Sequence, residues 1–407
     1  MVYSDIQHYL RTERDNMTKT LKLLFLTLCM SVCLTGCADE DEKKPEKPAE
    51  QSQEPENQSN LDVLQPLAYG NVNGLTLEPK TNITMIGREN NSEYWMQVKK
   101  GAQRAIKDIN TLMGYKGADK VTLTYAASDR ENNVDDQVNI LDEEMARYPA
   151  ALGISAVDAG ACEVQFDLAA ENGIPIVAFD SGTTYQNIVS MIDTNNIEAA
   201  QTAANQFANI IDDSGEILMF IHDSKSTSGL EREQGFTEYI QEKYPEIQIG
   251  AVYHLDRLEE AEEQIAQNEA VPTEDGNIET IQNDEADEEG MTQEEIVRYI
   301  IEKHPDVKGI FTTNEASAKL VVDTLEALKK DDVKVVSFDG GKNQIKRLKE
   351  GKIDGLIVQN PFGVGYATVV ACARAVLEQG NEAVVNTGYT WVTLDNLEEE
   401  SIAKMMY

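Results

Sequence analysis

From residue 81 onward, short apolar runs alternate with stretches of helical period, and this rhythm narrows the possible folds more than any other feature. Apolar runs stand at 83–86, 121–124, 150–154 and 176–179, with amphipathic patterns at 94–109, at 134–145 and through Phe166-Asp167-Leu168. After 191–193 a second series begins, with runs at 217–220, 249–253, 307–311, 333–338 and 355–358 and helical patterns that include 199–211 and 231–242. Strands that are apolar throughout, rather than on alternate residues, are buried on both faces, which predicts parallel sheets covered by helices. Two series predict two such sheets. With 407 residues, 41% of them hydrophobic, the chain has enough material for two cores.

Three segments stand outside the rhythm. Residues 38–80 are rich in Glu, Lys, Pro, Gln, Ser and Asn, and read as a disordered acidic tether that cannot bury enough apolar surface to fold. Residues 258–290 form an acidic insertion. Calcium would require Asp-x-Asp-x-Asp-Gly spacing, which is absent, so a solvated insertion is the simpler reading than an ion site or docking loop. At the start, an apolar run from Leu23 to Leu34 is too short to span a bilayer and follows Lys19 and Lys22, the layout of an export leader. It ends at Leu34-Thr35-Gly36-Cys37, which resembles the lipobox of bacterial lipoproteins. That resemblance implies a signal peptide over 1–37, a lipid on Cys37 and attachment to the outer face of the cell membrane; the alternative is a plain secretory leader. Met17 is the better start for such a leader than Met1.

Composition removes several classes of function. Asp and Glu number 72 against 35 Lys and Arg, a net charge of -37, which repels a phosphate backbone and excludes nucleic acid as a partner. Of five cysteines, Cys29, Cys33 and Cys37 belong to the leader, leaving Cys162 and Cys372 as expected buried thiols, with a disulfide as the alternative. No Cys/His cluster has metal-ligand spacing, so neither a metal nor another cofactor is expected. With four histidines, no nucleophile elbow and no phosphate-cradling glycine loop, an enzyme is not expected.

In open parallel sheets, ligands bind beyond the carboxyl ends of the strands. Those positions carry Arg88, Ser155, Asp158, Asp180, Ser181, His222, Asp223, Asn314, Asp339 and Gln359, with Tyr94 and Trp95 close behind the first strand. Carboxylates accept from paired hydroxyls, arginine donates in a fork, amides do both, and an aromatic ring covers an apolar sugar face. Any one of these alone has a structural reading. An Asp after a strand, such as Asp158 or Asp339, is often a helix cap, and Tyr94-Trp95 suits ordinary packing.

Six blocks in order make the set specific. They are Ser-Glu-Tyr-Trp-Met-Gln-Val-Lys-Lys-Gly-Ala (92–102), Gly-Ile-Pro-Ile-Val-Ala-Phe-Asp (173–180), Glu-Arg-Glu-Gln-Gly-Phe (231–236), His-Pro-Asp-Val-Lys-Gly-Ile-Phe-Thr-Thr-Asn (304–314), Val-Val-Ser-Phe-Asp-Gly (335–340) and Val-Gln-Asn-Pro-Phe-Gly-Val-Gly-Tyr (358–366). With them the chain resembles the periplasmic sugar-binding proteins of type 1, the family of the ribose- and galactose-binding proteins, which share their fold with lac-repressor effector domains. The resemblance implies an α/β protein of two Rossmann-like lobes joined by a three-segment hinge near Thr194, Asn360 and Thr387. It divides the chain into an N-terminal lobe (81–193 with 361–387) and a C-terminal lobe (194–360 with 388–407). It places ligand contacts at Tyr94, Trp95, Asp180, Arg232, Asn314, Asp339 and Gln359, and less firmly at Arg88, Ser155 and Ser181. Ser181 stands where ribose-binding members carry arginine, and Ser155 where the family often has Asn, so ribose is not the expected ligand.

The function so implied is capture of a monosaccharide-like molecule by a monomeric, lipid-anchored carrier and its delivery to an ABC permease. A co-receptor for a sensor kinase or chemoreceptor is the alternative. A DNA-binding regulator would need a helix-turn-helix where the leader and tether stand.

Overall fold

The apolar runs form the strands of two six-stranded sheets. The structure, a computed structural model, describes residues 57–407 except 131, 258–259, 264, 266–270, 273–277, 280–289 and 404, all within the unit Pro55–Tyr407. The first sheet holds β1 (Asn82–Ile86), β2 (Thr122–Ala126), β3 (Ala151–Ile154), β4 (Ile176–Phe179), β5 (Ser190–Asp193) and β13 (Val384–Asn386), and every pairing in it is parallel. The second holds β6 (Gly215–Ile221), β7 (Ile247–His254), β10 (Val307–Thr312), β11 (Lys334–Phe338), β12 (Gly355–Gln359) and β14 (Tyr389–Val392). Its pairings are parallel except β12 with β14. Between β7 and β10 in the chain, β8 (Val271–Pro272) and β9 (Ile278–Glu279) form an antiparallel ribbon of two residues in each strand.

The sheets share one strand order, β2-β1-β3-β4-β5-β13 and β7-β6-β10-β11-β12-β14. In each, the order reverses beside the first strand, between β1 and β3 and between β6 and β10, which opens a crevice at the carboxyl ends. The chain leaves the first sheet after Asp193, returns after Gln359, and passes once more between Asn386 and Tyr389.

Helices cover the sheets. Around the first lie α1 (Gln58–Asp62), α2 (Glu93–Met113), α3 (Val134–Met145), α4 (Glu163–Glu171) and α10 (Pro361–Val376). The second has α5 (Asn196–Ile210), α6 (Thr227–Lys243), α7 (Gln293–Lys303), α8 (Glu315–Leu328) and α9 (Lys342–Lys349), and the short α11 (Glu400–Ala403) follows β14. Caps define where they start: Ser92 accepts from Trp95 N ahead of α2, and Asn360 accepts from Gly363 N ahead of α10, whose first residue is Pro361. Helices α2 and α10 approach so closely that a Cβ on Gly365 would lie 1.8 Å from Val98 O, and one on Gly101 would lie 2.0 Å from Phe362 O. Only glycine fits at either place. The second lobe's core centres on Phe236 and Phe311, stacked at 4.0 Å between centroids, and each fully buried ring contributes about 1.5–3 kcal/mol.

One expectation is corrected. Residues 57–80 are not a tether: Leu61, Leu64, Tyr69, Leu75 and Leu77 are buried in the core that contains α2 and α10, and Gln65 bridges to Asn386. Low average hydrophobicity concealed a few large apolar residues, each buried in that core. The rest of the expected tether, the leader and Cys37 lie outside the described residues, as does most of the acidic insertion. Cys162 and Cys372 are buried free thiols, and among the described residues no helix is long and apolar enough to cross a membrane.

Candidate ligand-binding cleft

Between the carboxyl ends of the two sheets lies a cavity of about 420 Å³. Tyr94, Trp95, Asp180, Arg232, Asn314, Asp339 and Gln359 all line it, as does Arg88. Six separate stretches of chain thus converge on one space.

Two carboxylates face it from equivalent positions. Asp180 follows β4 and Asp339 follows β11, and both adopt left-handed backbone, at φ 60° and 79°. Each is held there by its own N–H, which donates to the next strand, to Ile192 O at 2.9 Å and to Ile357 O at 2.8 Å. A non-glycine residue in this region costs free energy that the surrounding structure must offset, and such strain gathers at functional positions. The Asp180 carboxylate accepts from the Tyr94 hydroxyl, from Ser155 Oγ at 3.2 Å and from Ser181 Oγ at 3.0 Å. Asp339 accepts from Gln359 Nε2 at 2.7 Å and from Glu315 N at 3.0 Å. Burial raises the Asp339 pKa, with Arg232 and the two hydrogen bonds pulling against it. Gln359 is itself oriented by Thr194 Oγ1, which donates to its Oε1 at 3.0 Å.

Arg232 projects from α6, packs over the Phe338 ring at 4.3 Å, and donates to Asn196 Oδ1 at 2.8 Å and to Thr313 O at 2.7 Å. It is buried, and no described residue accepts from its Nη2. It therefore offers a fixed donor to the cleft and is not clamped between Asp180 and Asp339. Tyr94 and Trp95 meet edge to face at 5.3 Å, and Trp95 backs onto Phe179. The Tyr94 pKa is driven well up by burial and by Asp180, so its hydroxyl stays a donor.

The remaining expected positions divide. Asn314 lines the cavity but also caps α8, its Oδ1 accepting from Ser317 N at 2.8 Å, so the structural and the ligand readings both apply. Asp158 neither lines the cavity nor caps α4, whose cap position is Cys162; it holds the preceding turn, accepting from Gly160 N and Ala161 N. Ser155 and Ser181 are fully buried behind Asp180 and do not line the cavity; they orient the carboxylate. Arg88 reaches across to the other lobe, pairing with Asp223 Oδ2 at 2.7 Å and donating to Ser181 Oγ at 2.9 Å. Burial opposes the Asp223 charge, yet the adjoining His222 imidazole, the Arg88 guanidinium and the Ser226 N–H hold its pKa below the usual carboxylate range. Burial pushes His222 down to about 3, so its ring is neutral beside Thr313 and Ser226.

Sequence reasoning missed several lining residues, among them Asn132, Ser228, Glu315 and Lys319. Glu315 had a signal, since it directly follows the strand-end Asn314. Asn132, in left-handed backbone within a loop, had none. Among the described residues no group of His, Cys, Asp and Glu could hold a metal ion.

Two lobes of like topology enclosing a polar cleft with an aromatic wall define a solute-capturing protein. The periplasmic binding protein domain family matches residues 83–271 and 250–381, and the chain belongs to it. Curated relatives include the ribose import binding protein of Escherichia coli, 22% identical over 299 residues (74% of this chain, 86% of that one). A D-apiose import binding protein of Actinobacillus succinogenes is 23% identical over 224 residues (55% and 62%). Among solved structures, a carbohydrate transporter solute-binding protein from Agrobacterium radiobacter in complex with D-arabinose superposes with a TM-score of 0.66 at 26% identity, covering 81% of this chain and 99% of that one. The arabinose-binding protein AraP of Geobacillus stearothermophilus gives 0.60 at 26% (79% and 99%). These are extracytoplasmic binding proteins of sugar importers and not enzymes.

Proposed function

We propose that the protein captures a monosaccharide between its lobes outside the cytoplasm and delivers it to an ABC permease, as a monomer held to the membrane by a lipid on Cys37. The observation that carries this reading is the pair of strand-end carboxylates, Asp180 and Asp339, in left-handed backbone and facing one cleft from opposite lobes. With Arg232 as donor, Gln359 as amide and Tyr94-Trp95 as wall, they supply what a ring of hydroxyls needs. Arabinose, ribose and apiose, the sugars named for its relatives and a structural neighbour, are neutral and of this size.

Because both lobes contribute contacts, sugar favours the closed arrangement by differential affinity, with crossings near Thr194, Asn360 and Thr387 as the hinge. Hydrogen bonds to charged groups contribute roughly 1.5–3 kcal/mol each, and micromolar binding requires about 8 kcal/mol, so a handful suffices. The test is a thermal-shift screen of residues 38–407 against pentoses, hexoses and inositols, with nucleosides and amino acids as controls. A sugar at about a hundred times its Kd adds about 2.7 kcal/mol of stability. A shift with sugars alone supports the reading; a shift confined to the controls overturns it.

A further inference from the structure

Within the cleft, most charged groups already have protein partners. Arg88 is paired with Asp223, Lys319 with Asp323 at 2.9 Å, and Glu93 with Lys342. With those set aside, the carboxylates of Glu89, Asp180, Asp339 and Glu315 share the lining with a single guanidinium, that of Arg232.

Glu315 differs from the two aspartates. The carboxylates of Asp180 and Asp339 are occupied by hydrogen-bond donors, whereas no described residue donates to that of Glu315. It opens α8 beside Asn314 and lies against Gly341, where a Cβ would sit 2.5 Å from both of its carboxylate oxygens. The charged groups around it are Asp339 at the end of β11, Glu89 and Glu93 from the first lobe, and Lys342 at the start of α9. Lys319 stands one turn along α8 and is turned to Asp323. Burial, then Asp339, Glu93 and Glu89, push Glu315 up to about 7, and Lys342 offsets only part of this. A half-buried carboxylate with anionic neighbours and no donor is stabilised by a cation brought to it.

We infer that Glu315 is a specificity-determining residue that takes an ammonium group, so that the preferred ligand is an amino sugar, with its amine at Glu315 and a ring or hydroxyl oxygen at the free Nη2 of Arg232. This rests on the reading of the cleft as a sugar site. A neutral sugar leaves the Glu315 charge unmatched, and an anionic sugar is repelled.

The test is titration calorimetry on the purified protein with glucosamine, galactosamine and mannosamine, their neutral parent hexoses, and ribose and arabinose. At least one amino sugar binds ten-fold or more tightly than its parent. Glu315→Gln brings that ratio to within about two-fold, chiefly by weakening the amino sugar. Glu315→Asp, which keeps the charge, retains part of the preference and serves as the folding control. Binding near pH 7 releases protons, seen as a buffer-dependent enthalpy, and the release disappears in Glu315→Gln. Neutral sugars binding as tightly as amino sugars, or a preference that survives Glu315→Gln, overturns this inference alone. Silence from every sugar overturns it together with the proposed function.

Discussion

Arg88–Asp223 and Glu93–Lys342 are ion pairs that join the lobes beside the cleft, and they differ in nearly everything but formal charge. Arg88 and Asp223 have side chains only 7% and 4% exposed. Both have further partners: Arg88 donates also to Ser181 and to Asn132 Oδ1, and Asp223 accepts from Lys225 N and Ser226 N. Glu93 and Lys342 form the other pair, with the lysine side chain 76% exposed. Breaking a buried pair strands a charge and costs about 3–5 kcal/mol, whereas an exposed pair contributes about 0–1 kcal/mol and is screened by salt. Of the two, Arg88–Asp223 is the pair whose loss is expected to favour opening of the lobes. Because Ser181 links Arg88 to the Asp180 carboxylate, that clasp is also wired to the ligand site.

The largest expected effect is that of Asp223→Ala. It strands the Arg88 guanidinium and removes up to about 3–5 kcal/mol from the closed arrangement, with lobe opening as the relief. X-ray scattering without sugar then shows a larger radius of gyration, and sugar affinity falls; an unchanged radius would mean that the clasp does not set closure. Next, Asp180→Ala and Arg232→Ala each remove roughly 1.5–3 kcal/mol of sugar binding and lower the sugar-free melting temperature only modestly, through the protein partners each leaves unpaired. A collapse of sugar-free stability would assign these residues a structural role instead.

The pH dependence separates the clasp from the rest of the cleft. The His222 pKa is pushed down to about 3, so between the ordinary histidine range and pH 3 the unfolded chain binds the proton that the folded chain refuses, and stability falls as pH drops through that window. Asp223, also lowered, extends the loss further into acid. Asp193, which burial, Glu231 and Asp180 raise to about 8, acts in the opposite sense: the folded chain holds a proton there, and stability rises as pH falls from about 8 toward the carboxylate range. Urea midpoints at pH 6.5 and 4.5 therefore differ less in His222→Gln than in the wild type. Equal differences would show that His222 is not the group responsible. The smallest effect is Lys342→Ala, at most about 1 kcal/mol at low salt and none at high salt, measured by the same midpoints.

Much of the cleft could be read from the chain because polar residues at strand ends have a fixed meaning in parallel sheets. Asp180, Asp339 and Gln359 stand where that rule puts them. Arg232 needed its Glu-Arg-x-x-Gly-Phe context, since nothing in a helix's own period says which side chain reaches a neighbouring lobe. Ser155 and Ser181 follow their strands too, yet point behind a carboxylate rather than into the cavity, because a hydroxyl that short reaches only its nearest neighbour. The expectation for residues 57–80 fails because composition averages over a window, while Leu61, Leu64, Leu75 and Leu77 are each buried singly in the core.

Local and periodic properties are legible along the chain: which runs become buried strands, where helices start, that two sheets form, and which residues lie at the strand ends. Those properties depend on near neighbours in the chain. Only the tertiary structure decided that Arg88 clasps Asp223, that the Arg232 guanidinium keeps one nitrogen for the cleft, and that Glu315 is left without a donor. Each of these is set by groups brought together from distant parts of the chain, and neither the distance nor the burial that fixes their strength is written in the order of residues.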